Sequence, residues 1–157
     1  MKKIKVLSCI ATIAVMALIF FFSSQTAAVS SKTSSGITRK IAELVATIMQ
    51  TDDVKSIQAV LHTIVRKAAH FMLFFVLALS VANTVFQLFG TEKGKLFIIT
   101  CVFCLFYAIT DEVHQIFVPG RAAMLIDVFI DLAGSISGGG IFILLRYLYK
   151  RRKKYVL

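Results

Sequence analysis

The sequence holds three cysteines, one proline and no tryptophan among its 157 residues. An odd cysteine count, with Cys9, Cys101 and Cys104 all inside apolar blocks, excludes a disulfide framework. Cys101-x-x-Cys104 has the spacing of a redox pair, but its neighbours are Val, Phe and Leu. The two thiols read instead as small apolar side chains on one helix face. The chain lacks internal repeats, which argues against a transporter built from paired halves. It lacks H-E-x-x-H or any other established metal-ligand motif, so no metal and no cofactor is expected. Although the net charge is +10, no basic helix stands clear of apolar sequence, so nucleic acid is not the expected partner.

Apolar sequence is what the chain has in excess. Hydrophobic residues make up 58% of it, against about 45–50% in a typical soluble domain. They gather in four blocks long enough to test against the roughly 20 residues a helix needs to cross a bilayer. The blocks predict spans at about 6–22, 68–89, 95–116 and 122–147. The first follows Lys2, Lys3 and Lys5 and resembles a signal peptide in that respect, but it is longer than the usual apolar region of about 7–15 residues. A retained helix is the favoured reading. Ser23 to Gly36, rich in Ser, Thr and Ala, reads as a loop. Ile37, Ile41, Leu44, Val45 and Ile48 then recur at helical spacing, with Arg39, Lys40 and Glu43 on other faces. This amphipathic segment is too polar to span and suits the membrane interface. Thr51 and Asp52 offer caps for a second short helix carrying Val54, Ile57, Leu61 and Ile64. The expected fold is therefore all-α: a polytopic membrane bundle of about four transmembrane helices, plus one or two short amphipathic helices over 37–65 on the outer side. The whole chain is expected to form one domain.

Lys and Arg set the expected orientation. Eleven fall at the two termini and around the Gly90–Gly94 loop, and seven on the opposite side. The positive-inside rule then places both termini in the cytoplasm of a multi-pass cell-membrane protein, with membrane lipids as its surroundings.

This topology brings most of the unusual residues to one depth. Arg66 and His70 stand at the outer start of span two. Asp111, Glu112, His114 and Gln115 stand at the outer end of span three. Arg121 lies in the connection Phe117-Val-Pro-Gly-Arg121, where Pro119-Gly120 suits the central positions of a type II turn. Asp127 and Asp131 open span four. Ionisable residues inside a span cost roughly 2.5–3.5 kcal/mol each at the bilayer centre and less near the interface. They should therefore face the bundle interior and partner one another. Arg66, Lys67 and Arg121 are expected to offset Asp111, Glu112, Asp127 and Asp131. A pinning network and a polar pocket both satisfy this arrangement, and the number of groups favours the pocket. Gly134-x-x-x-Gly138 provides a small-residue face and suggests that span four packs at the bundle centre.

Arg66-Lys-Ala-Ala-His70-Phe, Tyr107-Ala-Ile-Thr-Asp-Glu-Val-His-Gln115, Phe117-Val-Pro-Gly-Arg121, Asp127 and Gly134 together resemble the VanZ-like family. The Phe22-Ser-Ser-Gln25 exit from span one resembles it too, so the likeness covers essentially the whole chain. The resemblance implies a small bacterial membrane protein of the cell envelope, in a family whose named member is associated with teicoplanin resistance. Carried over by position, the signature residues are Arg66, His70, Asp111, Glu112, His114, Gln115, Arg121 and Asp127. Asp131 departs from the pattern, standing where Asn is expected and adding a negative charge to the pocket. The candidate partners are a lipid-linked cell-wall precursor or a glycopeptide, with homo-oligomerisation open. Three readings compete: an outer-leaflet binding protein, a hydrolase or transferase using Asp111, Glu112 or His114 on a lipid-linked substrate, and a purely structural membrane protein.

Overall fold

The computed structural model describes residues 2–155, side chains at 33, 34 and 153–155 excepted, and consists of five helices. They are α1 (Lys2–Ser23), α2 (Ala27–Met49), α3 (Val54–Phe89), α4 (Lys93–Gln115) and α5 (Leu125–Tyr155). All but α2 are long and apolar enough to cross a membrane. The chain is thus a multi-pass membrane protein, and its many exposed apolar side chains, such as Phe106, Phe129 and Leu145, are lipid-facing surface.

Two stretches ahead of the second span differ from the sequence expectation. The expected loop from Ser23 to Gly36 shrinks to residues 24–26. Thr26 caps α2 by accepting a hydrogen bond from the Val29 N–H at 3.4 Å. Packing of α2 on α3 then outweighs the weak helix preference of Ser and Thr. The second short helix does not exist separately. Between Ile64 and Ala68 stand only Val65, Arg66 and Lys67, none of which breaks a helix, so α3 runs unbroken for 36 residues. That is about 54 Å of helix, against a hydrocarbon core of about 30 Å. The N-terminal portion of α3 therefore stands out of the span and pairs with α2 as a hairpin. Gln50 makes the turn with φ 50°, and Asp53, rather than Thr51 or Asp52, caps α3 by accepting from the Ser56 N–H at 3.2 Å. Hydrogen bonds from Ser56, side chain first and backbone second, hold the Asp53 carboxyl below its ordinary pKa.

The apolar stripe of α2 also turns out differently. Its packing face consists of the buried Thr38, Ala42 and Ala46, while Ile37, Ile41, Leu44 and Ile48 point outward. Small residues let α2 lie close on α3, and the larger ones are left for the membrane interface.

The bundle is organised around α3, which packs against all four other helices and most extensively against α5. The small-residue face of α5 lies on it, so α3 and not α5 holds the centre. A Cβ on Gly134 would stand 2.3 Å from the Phe71 carbonyl oxygen, and one on Gly138 would stand 2.3 Å from that of Phe75. Only glycine lets the backbones approach so closely. The core gathers Ile19 of α1, Phe74, Leu77, Ala78, Val81 and Val85 of α3, and Leu96, Cys104 and Ala108 of α4. Hydroxyls supplement it. Thr12 meets Ser80 at 3.0 Å and Thr84 at 2.9 Å, and the Tyr107 hydroxyl donates to the Met16 carbonyl at 2.7 Å.

The two ends of the bundle differ in chemistry. One carries the start of α1, the α3–α4 turn and the end of α5. There Lys5 donates to the Leu88 carbonyl, Arg146 lies 3.2 Å from the Phe86 ring centroid, and Lys93 caps the Tyr147 ring. The basic run from Lys150 continues α5, with the side chains of Lys153 and Lys154 outside the described residues. The other end carries the end of α1, the α2–α3 hairpin, the α4–α5 connection and every acidic residue except Glu92.

Candidate functional site

The α4–α5 connection takes the shape its sequence predicts. The Arg121 N–H donates to the Val118 carbonyl at 3.1 Å across Pro119-Gly120, and Gly120 has φ 77°. A Cβ there would also sit 3.1 Å from that of Ala27, so glycine lets the turn dock on the start of α2. Above this turn α5 begins later than expected, at Leu125, leaving residues 122–124 in the connection. Glu112 secures that start by accepting from the Met124 N–H, and Asp127 lies in the first turn of α5, where a helix favours negative charge.

The acidic residues divide into two groups. Asp127 pairs with both Lys67 and, at 3.8 Å, Arg66, tying α5 to α3. Asp111 and Asp131 lie deeper. Asp111 Oδ2 accepts from the Ser23 hydroxyl at 2.7 Å and from Gln115 Nε2 at 3.0 Å. Asp131 Oδ1 faces His70 Nδ1 at 3.6 Å. Single donor atoms from His70, Asp111 and Asp131 all fall within 4.8 Å of one another. His114 stands apart from this group. Its ring packs on Phe20 at 4.5 Å and its Nε2 lies 3.4 Å from the Ser24 hydroxyl. Helical spacing puts both Gln115 and His114 within reach of Asp111, but only Gln115 bonds it.

Arg121 does not neutralise a carboxylate by direct contact, as the charge count suggests. Its Nε donates to the Gln25 carbonyl at 3.0 Å and its Nη2 to the Phe22 carbonyl at 3.2 Å. Both carbonyls lie where α1 ends, natural partners for a guanidinium fork. Nη1 is buried and has no hydrogen-bond partner. Burial, and next the neighbouring Arg66 charge, draw the Arg121 pKa below its ordinary value, though a guanidinium remains protonated at neutral pH.

Arg121 and Arg66 share the wall of a cavity of about 480 Å³ between the end of α1, the start of α2 and the face of α3. Phe22, Leu73, Val65 and Met72 supply its apolar wall, and Ser30, Ser31, His62 and His70 its polar one. Val65 and Met72 are themselves exposed on the bundle side, so the cavity opens laterally between helices. Three participants were missed in the sequence. Ser23 is fully buried on Asp111, and its signal was the Phe22-Ser-Ser-Gln25 exit. Lys67 entered the charge count without being assigned to the site. His62 and its half of the cavity wall depend on α3 extending past the span.

Fold and site together define a four-span helical membrane protein with a laterally open, cation-lined cavity at the acidic end. The model of the VanZ/LLP1 family matches residues 8–146, and the chain belongs to that family. No curated protein and no solved structure matches it.

Proposed function

We propose that this chain is an envelope protein that holds the anionic group of an amphiphile in the α1–α2–α3 cavity, at the outer leaflet. The observation that carries this reading is the Arg121 guanidinium, which is fixed by two carbonyls and shares the cavity wall with Arg66. Two guanidinium groups on one wall suit a phosphate or carboxylate, which accepts charge-assisted hydrogen bonds from such forks. The apolar wall and lateral opening suit a hydrocarbon chain entering from the bilayer. The positive-inside count favours the outer side for the cavity. A lipid-linked wall precursor and a glycopeptide both carry such anions, which connects the cavity with the teicoplanin phenotype that the family resemblance implies.

Binding is favoured over catalysis by where the carboxylates lie. Asp111, Glu112 and His114 are not among the residues lining the cavity. Asp111 and Glu112 are occupied in holding Ser23, Gln115 and Met124. The test is expression in a glycopeptide-sensitive Gram-positive host at matched abundance. Wild type should reduce teicoplanin susceptibility, Glu112→Gln should retain that effect, and Arg121→Ala should abolish it. An Arg121→Ala variant as active as wild type would contradict the reading.

A further inference from the structure

The cavity accounts for Arg66 and Arg121 but leaves Asp131 unexplained. Its side chain is 2% exposed inside a membrane span, and its Oδ1 has no hydrogen-bond partner. A buried carboxylate in that position needs compensation. Among the described residues, Arg66 and Lys67 are both drawn to Asp127, Arg121 is held by carbonyls, and no Lys or Arg forms an ion pair with Asp111 or Asp131.

We propose that His70, Asp111 and Asp131 form a binding site for a divalent transition-metal ion at the junction of α3, α4 and α5. Each residue offers one donor atom, and the three atoms lie within 4.8 Å of one another. The His70 Nδ1–Asp131 Oδ1 separation of 3.6 Å is too long for a hydrogen bond. It does match the edge of a tetrahedron around a cation with bonds of about 2.0–2.2 Å, whose ligand atoms stand roughly 3.3–3.6 Å apart. Both atoms are buried and lack hydrogen-bond partners, as a pair aimed at a shared cation would. The third ligand is already oriented, because Ser23 and Gln115 fix the Asp111 carboxylate through Oδ2. One imidazole and two carboxylates suit Zn²⁺ or Mn²⁺, whereas Mg²⁺ and Ca²⁺ prefer oxygen alone. Two carboxylate charges match a divalent ion, leaving the deep part of the cluster neutral. The site goes beyond the anion-binding reading and shares only His70 with its cavity.

The full-length chain, purified in detergent and stripped with chelator, should take up one equivalent of Zn²⁺ or Mn²⁺ in calorimetric titration, with no uptake of Mg²⁺ or Ca²⁺ at the same concentrations. Asp131→Asn, nearly isosteric, and His70→Gln should each weaken binding about tenfold or more. Their metal-free unfolding temperatures show whether the fold is kept. Where a variant does not accumulate, Co²⁺ bound to wild type decides the matter. A tetrahedral ligand-field spectrum is expected, and the spectrum of the aquo ion would overturn the proposal. Absence of stoichiometric uptake by wild type, or equal affinity in a folded Asp131→Asn, would overturn it too. The titration uses no added lipid, so its failure is separable from a failure of Arg121-dependent anion binding.

Discussion

Adding a single methyl group at three glycines of α5 should give opposite signs. At Gly134 and Gly138 a Cβ would meet the carbonyl oxygens of Phe71 and Phe75 at 2.3 Å, whereas around Gly140 nothing lies within 4 Å. An ordinary carbon–oxygen contact is about 3.3–3.6 Å, so α3 and α5 must separate by about 1 Å. The obstacle is backbone, which cannot yield by changing rotamer. Overpacking costs about 1–3 kcal/mol and belongs at the upper end here. Replacing glycine by alanine in a helix returns up to about 1 kcal/mol. Gly138→Ala is therefore expected to destabilise by about 1–2 kcal/mol net, Gly134→Ala by a similar amount, and Gly140→Ala to be neutral or stabilising by up to about 1 kcal/mol. Reversible unfolding in mixed micelles, followed by circular dichroism, measures all three. The separation also draws Asp127 from Lys67 and Asp131 from His70, since both pairs bridge the same interface. If Gly138→Ala proved as stable as Gly140→Ala, the close α3–α5 approach would be refuted, and with it the geometry of the polar end.

Asp127→Ala should lower stability by about 1–3 kcal/mol, between the values for exposed and buried pairs, because its partners Lys67 and Arg66 are about a quarter exposed. A double-mutant cycle with Lys67→Met should recover a coupling energy of about 1 kcal/mol, and zero coupling would contradict the ion pair. Ser23→Ala removes a hydrogen bond to a buried carboxylate, so it should cost about 1.5–3 kcal/mol and reduce divalent-cation affinity about 10–100-fold. Unchanged calorimetric affinity would separate Ser23 from the site. On a cysteine-free background, Thr51→Cys at the α2–α3 turn should react with an impermeant thiol reagent added to intact cells, and Glu92→Cys only after permeabilisation. The reverse pattern would invert the topology.

The membrane character and the polar end were legible in the sequence because both rest on contrast. Apolar blocks stand out against their flanks, and Asp111, Glu112, Asp127 and Asp131 stand out within apolar blocks. The Pro119-Gly120 turn was legible because few residue pairs suit its backbone angles. Partner choice was less legible. Charge counting set Arg121 against the carboxylates, yet its fork reaches two carbonyls at the end of α1, fixed acceptors nearby that bring no second buried charge. Spacing alone leaves His114 and Gln115 equally in reach of Asp111, but α1 approaches one side of α4 and takes His114 onto Phe20. The helix over 27–36 was missed because Ser and Thr have weak local preferences, and tertiary contact with α3 decides the outcome. The cavity itself depends on α3 continuing below its span, which no boundary signal marked.

The central claim is that Arg121 anchors an anionic amphiphile between α1, α2 and α3. Native mass spectrometry of the protein released from nanodiscs, containing equal amounts of phosphatidylglycerol and phosphatidylcholine, tests it most directly. Wild type should retain one phosphatidylglycerol in preference to phosphatidylcholine, and Arg121→Ala should lose that preference while staying folded. The same selective adduct on wild type and Arg121→Ala, or no selectivity on either, would contradict the account.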